Sequence, residues 1–251
     1  MFEISPIPAF KDNYIWLLVR ERSALVVDPG DAAPVVDRLE SLGLDLAAIL
    51  VTHHHADHQG GVGELVRRYR ADVYAPAAES ITGTTCPLHG GETLTLLGES
   101  VEVLAVPGHT RGHLAYRCAN ALFCGDTLFG AGCGRLFEGT PAQMAASLAR
   151  IAALPDETLI HCAHEYTEIN LRFASTVEPD NPDIRQRIAR VRALRADGRP
   201  SVPSTLAEEK ATNPFLRCAQ PAVRAALAGR LAVDAGNVEV FAALREWRNG
   251  F

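Results

Sequence analysis

The stretch THHHADHQGG, residues 52–61, packs four histidines and one aspartate into six consecutive positions, 53 to 58. Four adjacent imidazoles make poor core material and a poor helix. A single histidine is more often a packing or surface residue than a ligand, but that reading does not account for this density. The run follows residues 48–51, a short apolar segment that reads as a buried strand. In layered α/β folds, sites gather just beyond strand ends. Alternation along an extended chain would send His53, His55 and Asp57 to one side and leave His58 facing a second point. The pattern predicts a metal site.

Working outward, residues 14–19 and 24–27 read as strands, the second stopped by the turn signal Asp28-Pro29-Gly30. Residues 32–42 form an amphipathic helical pattern that ends at Gly43, and 63–70 form another. Strand patterns follow at 72–74, 93–97, 101–106, 120–124 and 158–161, with a helix over 141–154. This order predicts a layered α/β architecture. Beyond about residue 166 no strand pattern remains, and 184–196, 221–231 and 238–247 read as helices. The expected division is a catalytic domain over 1–166 and a small all-helical domain over 167–251. The arginines from Arg185 to Arg199 are expected to form a solvated helix face.

Three further metal-ligand types sit just past strand patterns. His109 follows 101–106, Asp126 follows 120–124, and His164 follows 158–162. The candidate set is therefore His53, His55, Asp57, His58, His109, Asp126 and His164. These are too many for one tetrahedral zinc. They suit two divalent ions sharing a carboxylate. Zinc is the expected metal, and iron or manganese would fit the same donors. His54 should point away and be structural, and His113 should support rather than ligate. His89 and His161 are expected to be non-ligands. Asp28 is either a partner that orients a ligand or a plain turn aspartate.

The chain of 251 residues is 47% hydrophobic and 22% charged, ordinary for a globular protein. A net charge of −6 gives no support to nucleic-acid binding. The six cysteines form no CxxC pair, and the start has no basic region and no apolar run long enough for a signal or a membrane span. A cytoplasmic monomer with free thiols, no membrane association and no nucleic-acid partner is expected.

At THHHADH, PGHTRGH, CGDTLF and CAHEY the chain resembles the metallo-β-lactamase superfamily. Further stretches, IPAFKDNYIW, VVDPGD, AGCGRLFEGT, ATNPFLR and FAALREWRNGF, resemble its glyoxalase II (hydroxyacylglutathione hydrolase) family along essentially the whole chain. The resemblance implies an αββα sandwich followed by a small helical substrate-binding domain. It implies that His53, His55 and His109 hold one metal, that Asp57, His58 and His164 hold the other, and that Asp126 bridges them. It implies hydrolysis of S-(2-hydroxyacyl)glutathione thioesters by a hydroxide between the metals. S-lactoylglutathione would give glutathione and lactate, the second step of methylglyoxal detoxification. Asp57 and Asp126 are the expected catalytic residues. Arg135, Phe137, Tyr166 and Arg217 are the expected contacts to the glutathione thioester. Some relatives carry tyrosine at the position of Phe137, so contact there is expected through the backbone. Two other readings stand beside this one: an iron sulfur dioxygenase on the same fold, and a nuclease.

Overall fold

The structure, a computed structural model, describes residues 2–232 and 234–251. Strands β1 (Glu3–Ala9), β2 (Asn13–Arg20) and β3 (Ser23–Val27) lead into helix α1 (Ala33–Leu42). Strand β4 (Asp45–Leu50) runs into helices α2 (Ala56–Gln59) and α3 (Val62–Tyr69). Strands β5 (Asp72–Pro76) and β6 (Cys86–Leu88) complete a six-stranded sheet in the order β1-β2-β3-β4-β5-β6. Its first three strands are antiparallel and the rest parallel.

The second sheet begins with β7 (Thr93–Leu96), β8 (Glu99–Ala105), β9 (Leu114–Cys118) and β10 (Ala121–Gly125). A short hairpin follows, β11 (Leu128–Phe129) and β12 (Gly132–Cys133), then α4 (Pro141–Ala152) and β13 (Leu159–Cys162). The chain continues through α5 (Thr167–Val177) and α6 (Pro182–Ala196). A two-residue strand, β14 (Ser204–Thr205), precedes α7 (Leu206–Thr212), α8 (Pro221–Ala226) and α9 (Asn237–Asn249). The sheet order is β14-β13-β10-β9-β8-β7. Helix α5 begins at Thr167, and the hydrophobic core between the sheets continues past it to Phe173 and Phe241.

Period-two alternation produces the layers. On β2, Tyr14, Trp16 and Leu18 enter one core and Ile15 and Leu17 enter another. On β3, Leu25 and Val27 follow the first set, Ala24 and Val26 the second. The first core lies between the sheets and reaches Met144, Leu148 and Phe173. The second is closed by Val35 and Leu39 of α1 and by Leu65 of α3. Two sheets flanked by helices make the αββα sandwich. The sheets are tied where their strands end. Trp16 Nε1 donates to the Cys162 carbonyl at 2.9 Å, and Tyr116 Oη to that of Val51 at 2.7 Å.

Two expectations about the C-terminal part are corrected. It is not purely helical, because β14 pairs antiparallel with β13. Nor is the arginine face of α6 wholly solvated. Arg187 is buried, donating to Glu209 and Thr212, and Glu209 also accepts from Ser204 Oγ and Ala131 N. The sequence pattern could not separate Arg187 from its neighbours, since its partner lies 22 residues away. All six cysteines are free.

His161 on β13 packs edge-on against Trp16, with ring centroids 4.6 Å apart. Burial lowers its pKa to about 4. An unfolded chain takes up that proton near 6.5, so between about 6.5 and 4 the unfolded state binds more protons and stability falls with pH. With metal removed, the loss of unfolding free energy between pH 7 and 4.5 should be smaller in His161→Leu than in the parent. The expected difference is roughly 2–3 kcal/mol by urea titration. Identical losses would contradict the assignment.

Candidate metal centre

Val51, Thr52 and His53 prolong β4 and are fully buried. His53 and His55 share one side, as an extended chain requires, but Asp57 does not join them. The chain turns into α2 at Ala56, closed by His58 N–H to His55 O at 3.0 Å and Gly60 N–H to Ala56 O at 2.8 Å. That single helical turn carries Asp57 and His58 towards His164, which corrects the extended reading.

The resulting geometry is two triads. The donor atoms of His53, His55 and His109 lie within 4.8 Å of one another, and so do those of Asp57, His58 and His164. His53 Nε2 and His109 Nε2 are each 3.0 Å from His55 Nδ1. Asp126 lies between the triads. Its Oδ2 is 3.3 Å from His109 Nε2, while Oδ1 is 3.4 Å from His58 Nε2 and 3.3 Å from His164 Nε2. His58 Nε2 and Asp126 Oδ1 are buried without a hydrogen-bond partner. Orphaned buried polar atoms are rare and call for a ligand. An imidazole and carboxylate donor set arranged in this way fits two divalent metals.

A second layer of side chains aims the donors. Asp28 Oδ2 contacts His58 Nδ1 at 3.0 Å, and its two oxygens accept from Thr52 N and Oγ1 at 2.7 Å each. It is an orienting residue rather than a plain turn aspartate. His113 Nε2 accepts the Asp126 N–H at 3.1 Å, and its ring stacks on His53 at 4.6 Å. It supports the centre without joining it. Two orienting residues escaped the sequence reading. Asp12 Oδ1 lies 3.0 Å from His164 Nδ1, and Asn13 Nδ2 donates to Asp57 Oδ2 at 3.0 Å. Their signal was position, a polar pair at the start of β2, much as Asp28 follows β3. Gly125, at φ 48°, permits the close approach of these layers. A Cβ there would lie 2.3 Å from Thr52 Oγ1 and 2.8 Å from the His113 ring.

The electrostatics divide along the same line. Burial pushes the pKa of His53 well below the ordinary value and lowers those of His55 and His109. For His58 burial acts the same way, but Asp126 and Asp28 override it and raise the pKa. Asp126 likewise overcomes burial at His164. Burial would raise the Asp126 and Asp57 carboxyls. The facing histidines hold both below the usual range, with help from the Asn13 amide at Asp57. Both carboxylates are ionised at neutral pH.

Beside His109 and Asp126 opens a cavity of about 450 Å³, lined also by Phe129, Arg135, Phe137, Tyr166, Arg245 and Arg248. Tyr166 stacks on His164 with centroids 4.7 Å apart. Burial and nearby aspartates raise its pKa, so its hydroxyl stays protonated. Phe137 is 63% exposed and stands edge-on to His55 and His109. Its backbone N–H is already bonded to His109 O at 3.2 Å. Arg217 is not brought to this cavity. Its guanidinium grips Glu178 through Nε at 2.7 Å and Nη2 at 2.9 Å, beside a separate cavity of about 680 Å³ that contains none of the seven ligands. Besides Arg135, the cations beside the centre come from α9, which the sequence reading missed. Arg245 donates to Cys133 O at 2.7 Å, and Arg248 to Asn170 Oδ1 at 3.2 Å. The Nε of Arg248 is buried and unpartnered. Among the described residues, Arg135, Arg245 and Arg248 form no ion pair with a carboxylate. Their spacing in LREWR, one helical turn apart, was the available signal.

Residues 10–164 match the family described as the metallo-beta-lactamase superfamily, and 165–251 match the hydroxyacylglutathione hydrolase C-terminus. Over the full length of both chains, the protein is 64% identical to a hydroxyacylglutathione hydrolase of Dechloromonas aromatica. Among solved structures it resembles ETHE1 from Myxococcus xanthus, with TM-score 0.67 and 25% identity over 99% of this chain and 98% of that one. It also resembles TTHA1623, solved in a di-iron-bound form, with TM-score 0.61 and 27% identity over 84% of this chain and 100% of that one. The fold and the paired triads define a dinuclear-type member of the metallo-β-lactamase superfamily. Within it, the chain belongs to the hydroxyacylglutathione hydrolase family.

Asp126→Ala should weaken metal retention at both triads, because one oxygen faces each. Asp12→Ala should weaken it only at the Asp57 triad, by about 10- to 100-fold in affinity. Metal per chain during dialysis against a graded chelator separates the two outcomes. Full retention of both metals by Asp126→Ala would exclude the bridging position.

Proposed function

We propose that the protein hydrolyses S-(2-hydroxyacyl)glutathione thioesters, with S-lactoylglutathione converted to glutathione and lactate. The observation that carries this reading is the Asp126 carboxylate facing both triads at the rim of an arginine-lined cavity. Support also comes from the relatives named hydroxyacylglutathione hydrolase over the full chain.

His53, His55 and His109 would hold one ion, Asp57, His58 and His164 the other, with Asp126 shared. The donors favour zinc, and iron or manganese would be accepted. Two ions held there would lower the pKa of a coordinated water to about 7 and would polarise the thioester carbonyl. The chain supplies the rest. Asp57, partly open to solvent and fixed by Asn13, accepts a hydrogen bond from the attacking water and so aims it at the carbonyl carbon. As the water oxygen bonds to the carbonyl carbon its proton passes to solvent, the C–S bond breaks, and the sulfur departs as a thiolate. A thiolate is a weak base, so no protein acid is needed. This fits a cavity that holds no carboxylic acid besides Asp126 among its lining residues.

Glutathione carries two carboxylates. Arg135, Arg245 and Arg248 are the unpaired cations placed to receive them. Tyr166 offers its protonated hydroxyl. Phe137 walls the mouth above His55 and His109. Arg217, already satisfied by Glu178, is left out of this set. The protein is read as a cytoplasmic monomer. Among the described residues, no helix is long and apolar enough to cross a membrane.

Purified protein should hydrolyse S-lactoylglutathione and carry close to two metals per chain. Oxygen consumption with glutathione persulfide, and no thioester turnover, would instead favour the dioxygenase reading. Arg248→Ala should raise KM for the glutathione thioester about 10-fold or more, as loss of one charge-assisted bond implies. KM for a small acyl thioester lacking the peptide should barely change. Equal effects on both substrates would remove Arg248 from glutathione recognition. Arg217→Ala should lower thermal stability without selectively raising the glutathione KM.

A further inference from the structure

Glu79 lies in the turn after β5, and none of the chemistry above requires it. Its side chain is only 4% exposed. Oxygen Oε2 accepts from the backbone N–H of His54 at 2.6 Å and contacts His54 Nδ1 at 3.0 Å. Oxygen Oε1 accepts from Thr110 Oγ1 at 2.5 Å and from Gly112 N–H at 2.9 Å. A single carboxylate therefore clamps the loop bearing His53 and His55 to the loop bearing His109. These are the two segments that meet at the first triad.

The clamp extends outward. His54 Nε2 lies 3.2 Å from Glu138 Oε1, and Glu138 Oε2 accepts the Arg111 N–H at 3.1 Å. Glu138 follows Phe137, so the substrate-facing loop is tied to the same relay. His54, Glu79 and Glu138 also bring metal-type donor atoms within 4.8 Å of one another. The oxygens of Glu79, however, are already taken by four protein donors. The cluster is built to hold loops rather than an ion. Gly112 shows how closely the parts fit, since a Cβ there would lie 2.6 Å from Glu79 Cγ.

We propose that Glu79 is a positioning residue that sets the spacing of His53, His55 and His109 by locking their two loops together through His54, Thr110 and Gly112. The inference rests on the metal reading of the centre and not on the thioester reading. A glutamine at this position keeps the shape. It replaces one accepting oxygen with an amino group that must face protein donors, so half of the clamp turns repulsive.

The test compares the parent holoprotein with Glu79→Gln and Gly112→Ala, loaded with zinc or with cobalt(II) and challenged with graded chelator. Both variants should release one metal per chain at about 10-fold lower chelator concentration than the parent, in line with the loss of an outer-layer partner. The second metal should stay. The cobalt visible spectrum, which reports ligand geometry, should change for the released ion only. A two-metal parent whose Glu79→Gln form matches it in release and spectrum would overturn the inference alone. So would equal loss of both metals alongside a drop in melting temperature, which marks general destabilisation. A parent that binds no metal would overturn the metal reading, and the inference with it. If Glu79→Gln fails to fold, Gly112→Ala carries the same comparison.

Discussion

The structure depends on one carboxylate placed where two sheets run out. Asp126 leaves β10 and meets imidazoles that arrive from α2, from the loop after β8 and from the end of β13. Burying an ionised carboxylate is costly unless it is surrounded by compensating charge or donors. Here the compensation comes from histidines drawn from distant parts of the chain. The sandwich serves to bring these strand ends to one rim. The cores on either side of the first sheet keep that rim rigid.

The histidines in turn need partners for their second nitrogens. Asp28 supplies one for His58, Asp12 for His164, Thr52 for His53, and the Arg135 carbonyl for His109. Each ring is thus fixed in orientation by the nitrogen that does not point at the centre. Most of these partners sit one or two residues beyond a strand or in the loop just before one. The same topology that gathers the ligands also gathers their supports. This economy explains why a short motif can specify so much geometry.

That placement rule is also why much of the site was legible in the sequence. His109, Asp126 and His164 stood out because each followed an apolar run, and the sandwich followed from the order of those runs. What escaped was anything decided by long-range pairing or by a local break in period. Residues 56–59 read as extended because the turn of α2 is too short to carry a helical pattern. Arg187 and Arg217 looked like solvated or ligand-binding arginines, whereas Glu209 and Glu178 claim them. Arg245 and Arg248 drew no reading from the sequence, yet α9 delivers them to the cavity beside His109 and Asp126. An arginine carries no mark in sequence of whether a carboxylate will be waiting for it. β14 is two residues long, below any periodic signal.

That short strand has a consequence beyond the count of elements. β13 carries His164 at its end, and without β14 its outer backbone groups would be unpaired. An open sheet border is a template for other chains. The C-terminal segment therefore acts as a selvedge, finishing the border of the sheet that holds the reactive rim. With β14 in place, the backbone groups on that side of β13 are paired within the chain, so this border offers no ready strand partner to a second copy.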